Sequence, residues 1–327
     1  MSNHDNSLST RHDTFNTPES TVFNLVQEAT NSTPIKRKKI VKGYDNEVYE
    51  VETKDGEYFI MRIKHFGETS MEEEDWVVKQ YRNVGVPVPQ VYKIGTFRME
   101  NNDYEYMIQK KVTGQPLGEI KSQLTEEQLN KVYESAGRTL RQLHTVEVDG
   151  FYKRHENGIW DFTEWYKLAN SDVIDRSKEG DLIIQSGFTE QEVKNMIRYL
   201  EIYRDEFSCK QPVLCHGDYL EEHIFIDKDL NITAIIDFGM YRGDHPIHDF
   251  ARLYMDARFM NTDSLRRGYG DHEMFHDRFE RRLLLHVLGN QIGHTAHYAR
   301  EGMKPEVVYT AKSLRETYDK LNGILRS

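Results

Sequence analysis

His216-Gly217-Asp218-Tyr219-Leu220-Glu221-Glu222-His223, followed downstream by Ile235-Ile236-Asp237-Phe238-Gly239, decides how the rest of this 327-residue chain is read. Asp218 stands five residues before a potential metal ligand, His223, and Asp237 closes a later apolar segment. Between them, Ile224-Phe225-Ile226 is apolar, Asp227 to Asn231 is turn-like, and Ile232 to Ile236 is rich in β-branched residues, which predicts a hairpin. A hairpin returns the chain to its starting end, so Asp237 is expected beside His223 and Asp218. Phosphoryl transfer asks for that set: an acceptor for the proton of the attacking hydroxyl, Asp218, and two ligands, His223 and Asp237, that hold Mg²⁺ on nucleotide phosphates.

The bulk numbers narrow the class. A chain of this length suits one large domain or two lobes. Its net charge of −11 argues against a nucleic-acid binder and is compatible with a cationic small substrate. No apolar run approaches the roughly 18 residues of a membrane span. The N-terminus lacks the apolar core of a signal peptide, which predicts a cytoplasmic protein. Two cysteines, Cys209 and Cys215, make no disulfide framework and read as reduced structural thiols.

Residues 1–20 are polar and read as a mobile tail. Residues 21–112 read mainly as strands around one helix. Val48 to Glu52 alternates, Asp55-Gly56 signals a tight turn, and Tyr58 to Ile63 returns. Tyr92 to Phe97 and Tyr104 to Ile108 suggest a second hairpin across Asn101-Asn102-Asp103. Residues 113–327 turn helical. Thr125-Glu126-Glu127-Gln128 and Thr189 to Glu192 are capping boxes, each followed by an apolar stripe, and helical patterning resumes from Arg278. A strand-rich lobe before a helix-rich lobe gives an α+β, bilobal arrangement.

Nucleotide chemistry also needs a cation for the phosphates and an acid to hold it. Arg62, mid-strand among apolar residues, is the candidate; Lys64 on the same strand face is the fallback, and an outward-facing surface arginine is the bland alternative. Thr69 and Ser70 cap a helix whose apolar positions include Met71, Val77, Val78 and Tyr81. Glu74 falls amid that apolar face, where an unpaired carboxylate is costly, so an Arg62–Glu74 pair is expected. Glu72, Glu73 and Asp75 read as solvated residues suited to the helix N-terminus.

From His216-Gly217-Asp218 through Asp237-Phe238-Gly239, then Gly243-Asp244 and Asp249-Phe250-Ala251, the chain resembles the aminoglycoside phosphotransferase family, which includes macrolide phosphotransferases and choline kinase-like enzymes. The resemblance implies a protein-kinase-like fold with a nucleotide-binding N-lobe over 21–112 and a catalytic, substrate-binding C-lobe over 113–327. It also implies ATP or GTP as phosphoryl donor. Choline kinase-like members share an arginine at the Arg62 position, and Glu74 occupies the family's helix-acid position. Met107 to Gly114 resembles the family's hinge, which would set the backbone C=O of Lys110 and N–H of Val112 against the base. His216 braces the catalytic loop by the same match, and Asp249 resembles the acid it leans on. Most members carry Asn at His223; imidazole is a softer ligand than Mg²⁺ usually takes.

The implied acceptor is a hydroxylated small molecule, first an aminoglycoside or related antibiotic. A metabolic kinase acting on an amino alcohol or sugar is the alternative, with a catalytically silent nucleotide-binding protein behind it. Lys42 to Glu47 reads equally as a phosphate cover or an ordinary turn. Asp244 reads as a turn residue, and Glu221 and Glu222 as solvated loop charges. Lys36 to Lys39 reads as a solvated first strand, and Trp160 and Trp165 as core.

Overall fold

The computed structural model describes residues 15–41, 46–255 and 261–326. The chain divides into two compact units: the residues up to Gln115 with Phe225–Gly239, and Pro116–Ile224 with Met240–Ser327. This departs from a single break after residue 112, because the hairpin carrying Asp237 counts with the strand-rich unit.

The first unit is built on a five-stranded antiparallel sheet in the order Pro34–Ile40, Asn46–Thr53, Tyr58–Lys64, Asn102–Lys110, Val91–Met99. Both expected hairpins form. Period-two patterning sends Tyr49, Val51, Phe59, Met61 and Ile63 to one face, where they are buried with Tyr106 and Ile108. Helix Glu19–Thr30 covers that face with Val22 and Val26, both 0% exposed. Burying each such side chain stabilises the unit by about 1.5–3 kcal/mol. Among the described residues the unit thus holds two helices of two turns or more, where the apolar pattern announced one.

The expected tail is cut short as well. Phe15 is 1% exposed and stacks on His65 at 4.1 Å. Thr17 donates from its N–H and hydroxyl to the Glu47 carboxylate at 3.1 and 2.6 Å. The first strand is correspondingly less solvated than its charge suggests: Arg37 donates to the Thr17 carbonyl at 2.7 Å, and Lys39 to that of Phe15. Of Lys42 to Glu47, the candidate for a phosphate cover, residues 42–45 lie outside the described residues.

In the second unit a four-stranded sheet runs Trp160–Phe162, Phe151–Arg154, Arg242–Asp244, Val213–Cys215. Thr125 and Thr189 cap helices Glu126–Leu143 and Glu190–Ile202 with complete capping boxes, as the sequence predicts. The second of these joins Gly180–Gln185, Phe279–Arg300 and Lys304–Arg326 around a core that includes Met196, Leu200, Leu285, Leu288 and Leu314. Among the described residues no helix is long and apolar enough to cross a membrane.

Candidate active site

In the first unit, strand Tyr58–Lys64 and helix Met71–Asn83 deliver the expected pair. Arg62 Nη1 and Nη2 donate to Glu74 Oε2 and Oε1 at 2.5 and 3.0 Å, a two-pronged contact with both side chains largely buried. Lys64, the fallback, stands 3.8 Å from Glu105. Glu73 and Asp75 are not solvated as expected, each being 8% exposed. Glu73 completes the capping box with Ser70, and Asp75 pairs with Lys79 at 2.5 Å.

The hairpin brings Asp237 to the same place. Phe238 is buried against Tyr81 with ring centroids 5.3 Å apart, and Thr69 donates its hydroxyl to the Gly239 carbonyl at 2.7 Å. These anchors hold Asp237 at φ 67°, in the left-handed region a non-glycine residue rarely adopts. A methyl group placed on Gly239 would lie 3.5 Å from Glu74 Oε1 and 3.8 Å from Asp237 Oδ1. Arg62, Glu74 and Asp237 therefore share one neighbourhood. Lys110 and Val112 sit where the ladder runs out: Lys110 N–H donates to Gln90, Lys111 N–H donates to Tyr58, and the strand ends at Lys110.

In the second unit, the fully buried strand Val213–Cys215 feeds the loop that begins at His216. Gly217 has φ 81°, and a Cβ there would meet the Met240 carbonyl at 1.9 Å, so glycine is required. Asp249, 0% exposed, accepts from His216 N–H at 2.9 Å, from Gly217 N–H at 2.7 Å and from His144 Nε2 at 2.9 Å. The acid that His216 leans on thus grips the backbone of the loop. Burial opposes ionisation of Asp249, but the His144 hydrogen bond and the neighbouring imidazoles hold its pKa down at about 2.

Asp218 follows, with its N–H donating to His216 Nδ1 at 3.2 Å. Arg252 Nε and Nη2 both reach Asp218 Oδ1, at 3.0 and 2.9 Å. The Asp218 carbonyl lies 2.8 Å from His223 Nδ1. A carbonyl can only accept, so Nδ1 carries a proton, and in the neutral ring the lone pair is on Nε2. A metal-binding histidine is oriented in this way. The Asp218 carboxylate and the Nε2 of His223 offer oxygen and nitrogen donors of the kind a divalent ion accepts.

Glu221 corrects the sequence reading. It is 0% exposed and accepts from Lys121 at 2.5 Å and Tyr133 at 2.6 Å, while burial raises its pKa against the pull of those two donors. It fastens the loop; Glu222 is exposed, as expected. Asp244 is a buried partner of Arg242 at 2.8 Å rather than a plain turn residue. Both cysteines are free and buried, with thiol pKa values pushed up chiefly by burial. His144, Cys215 and Asp249 are near enough to suggest metal ligands. Yet His144 places both nitrogens in hydrogen bonds of 2.9 Å, to Tyr269 and Asp249, and the thiol stays protonated, so the trio braces the loop.

Arg252 escaped the sequence reading. Its signal was its place three residues after Asp249 on helix Ile247–Met255, one turn from the residue that grips the loop.

Such a loop, with a two-pronged Arg–Glu pair and a hairpin aspartate, belongs to phosphotransferases of protein-kinase-like fold. The model described as the phosphotransferase enzyme family matches residues 36–284, and the chain belongs to that family. Among solved structures, aminoglycoside phosphotransferase APH(4)-Ia superposes with a TM-score of 0.73 at 15% identity, covering 92% of this chain and 99% of that one. Macrolide 2'-phosphotransferase MphH from Brachybacterium faecium gives 0.57 at 16%, covering 90% and 98%. A Thermobifida fusca protein provisionally assigned as fructosamine-3-kinase gives 0.59 at 17%, covering 91% and 100%. At these identities the likeness establishes the fold. No curated protein matches the chain in sequence.

Proposed function

We propose that the protein moves the γ-phosphoryl group of ATP or GTP to a hydroxyl of a small molecule. Asp218 orients that hydroxyl and accepts its proton through the carboxylate oxygen that Arg252 leaves open. Arg62, fixed by Glu74, steadies the nucleotide phosphates, and the backbone of Lys110 and Val112 meets the base. His223 and Asp237 would hold Mg²⁺, which when bound offsets the charge of the phosphates. Convergence of the loop residues with Arg62, Glu74 and Asp237 is part of the proposal.

One observation supports it above the rest: the Asp218 carbonyl holds His223 in the tautomer a metal ligand needs, within the loop that carries the base. A thermostable mutant of APH(4)-Ia has been crystallised with ADP and hygromycin B, which gives aminoglycosides the first place in an acceptor screen. The test is mass spectrometry of a mixed pool of aminoglycosides, macrolides, amino alcohols and sugars after incubation with each nucleotide, seeking an added phosphate. Asp218→Asn is expected to lower kcat by roughly 10²–10⁴, the range of a lost general base. Turnover near that of the unmodified enzyme removes Asp218 from the role, and nucleotide binding without transfer to any acceptor favours a silent binding protein.

A further inference from the structure

The second unit holds a cavity of about 100 Å³ beside helices Trp165–Lys178 and Phe279–Arg300. That volume is room for about three waters or one small polar group, a subsite rather than a whole ligand pocket. Its charged lining is three guanidiniums, Arg176, Arg204 and Arg242, and two carboxyls, Asp172 and Asp244, with Trp165 on the wall. Burial raises the pKa of Asp172 against the pull of Arg242 and Arg176. Two imidazoles, His248 and His286, also line the cavity, and burial keeps both uncharged. The walls are therefore net positive inside a chain whose net charge is −11.

Two of the guanidiniums have donors to spare. Arg242 pairs with Asp244, but its Nε is buried with no hydrogen-bond partner among the described residues. The Arg176 guanidinium makes no hydrogen bond or ion pair among the described residues, although it acts on the carboxyl of Asp172. Its Nη1 lies 2.1 Å from where a Cβ on Gly293 would stand, so the missing side chain of Gly293 makes room for the guanidinium. A buried donor left unmatched costs about 1–3 kcal/mol, more when charged, and an arginine fork matches phosphate and carboxylate. His294, the next residue after Gly293, has Arg176, Arg252 and Asp218 together among its charged neighbours.

We infer that this cavity receives an anionic group, a phosphate or carboxylate, on the molecule whose hydroxyl is phosphorylated. The inference rests on the kinase reading for its acceptor and on Arg176 and Arg242 for its charge. Carboxylates suited to the ammonium groups of an aminoglycoside do not line this cavity in excess; guanidiniums do.

The test has two arms. In the first, inorganic phosphate, then acetate, is titrated against the full-length protein at constant ionic strength, following Trp165 emission with Trp165→Phe as control. Saturable binding is expected, weakened about tenfold or more in Arg176→Gln, as fits loss of a charge-assisted hydrogen bond. Gly293→Ala is expected to do the same by displacing the fork without changing any charge, and Arg176→Lys to fall between. No saturation by either anion, or equal affinity in all variants, overturns the inference.

In the second arm, nucleotide consumption is followed with glycerate against glycerol and glucose 6-phosphate against glucose, beside cationic aminoglycosides. Turnover confined to one anionic class identifies phosphate or carboxylate, with Arg176→Gln raising KM more than it lowers kcat. Neutral or cationic acceptors turned over as well, and indifferent to Arg176→Gln, overturn the anionic assignment while leaving the kinase reading intact. Anion binding with no acceptor phosphorylated supports the subsite and counts against the kinase reading.

Discussion

Removing both partners of the Arg62–Glu74 pair should cost less than the two single removals added together. The Glu74 side chain is 6% exposed and that of Arg62 is 12%, and the two are joined by bonds of 2.5 and 3.0 Å. Arg62→Ala leaves the Glu74 carboxylate buried without its arginine, for which about 3–5 kcal/mol of lost stability is expected. Glu74→Ala should cost somewhat less, because a long arginine side chain can bend its head toward water. The double variant loses contact area but strands no charge, so its loss should fall short of the summed single losses by about 2–3 kcal/mol. Urea unfolding followed by tryptophan emission measures all three, with Trp76 on the helix that carries Glu74 as reporter. Single losses that add to the double within about 0.5 kcal/mol would show that the two side chains are energetically independent. Arg62→Ala should also weaken Mg·nucleotide binding by about tenfold or more, the scale of one charge-assisted hydrogen bond.

Two further outcomes are expected. Glu47 is 0% exposed; burial opposes its ionisation, but hydrogen bonds from His65, Thr17 and Tyr49 outweigh it and depress the pKa to about 2. Its stabilisation, about 3 kcal/mol, should therefore be fully present above the unfolded pKa near 4.5 and be lost as pH falls toward 2; Glu47→Gln should flatten that part of the stability–pH curve, and an unchanged curve contradicts the assignment. Arg252→Ala should lower kcat about 10–100-fold with little change in nucleotide KM, and Arg252→Lys should recover part of it, because the guanidinium holds Asp218 Oδ1 from two nitrogens. Equal losses in kcat and in nucleotide affinity would mean that the residue supports the fold at large.

What the sequence revealed was mostly local. Hairpins, capping boxes and apolar stripes depend on residues a few positions apart, and those elements form where their patterns predict. Glu74 was legible for the same reason, since a charge on an apolar helix face needs a partner and a strand arginine was at hand. The buried role of Glu221 was not, because its partners Lys121 and Tyr133 lie 100 and 88 residues away in the chain. Helix Glu19–Thr30 hid behind a short, mixed pattern in which Val22 and Val26 alone are buried, within a stretch whose polar start resembled a tail. The left-handed backbone at Asp237 carries no side-chain signature; Tyr81, Phe238 and Thr69 impose it through packing and one hydrogen bond.

Whether His223 and Asp237 share one ion is the question on which the functional reading turns. Pulsed electron paramagnetic resonance of Mn²⁺ with ADP on the full-length protein asks it directly. A nitrogen hyperfine coupling is expected from the His223 imidazole. It should vanish in His223→Asn while the ion still binds, and Asp237→Ala should lose the ion. Mn²⁺·ADP bound with no nitrogen coupling, or bound equally well without the Asp237 carboxylate, would contradict the proposed site.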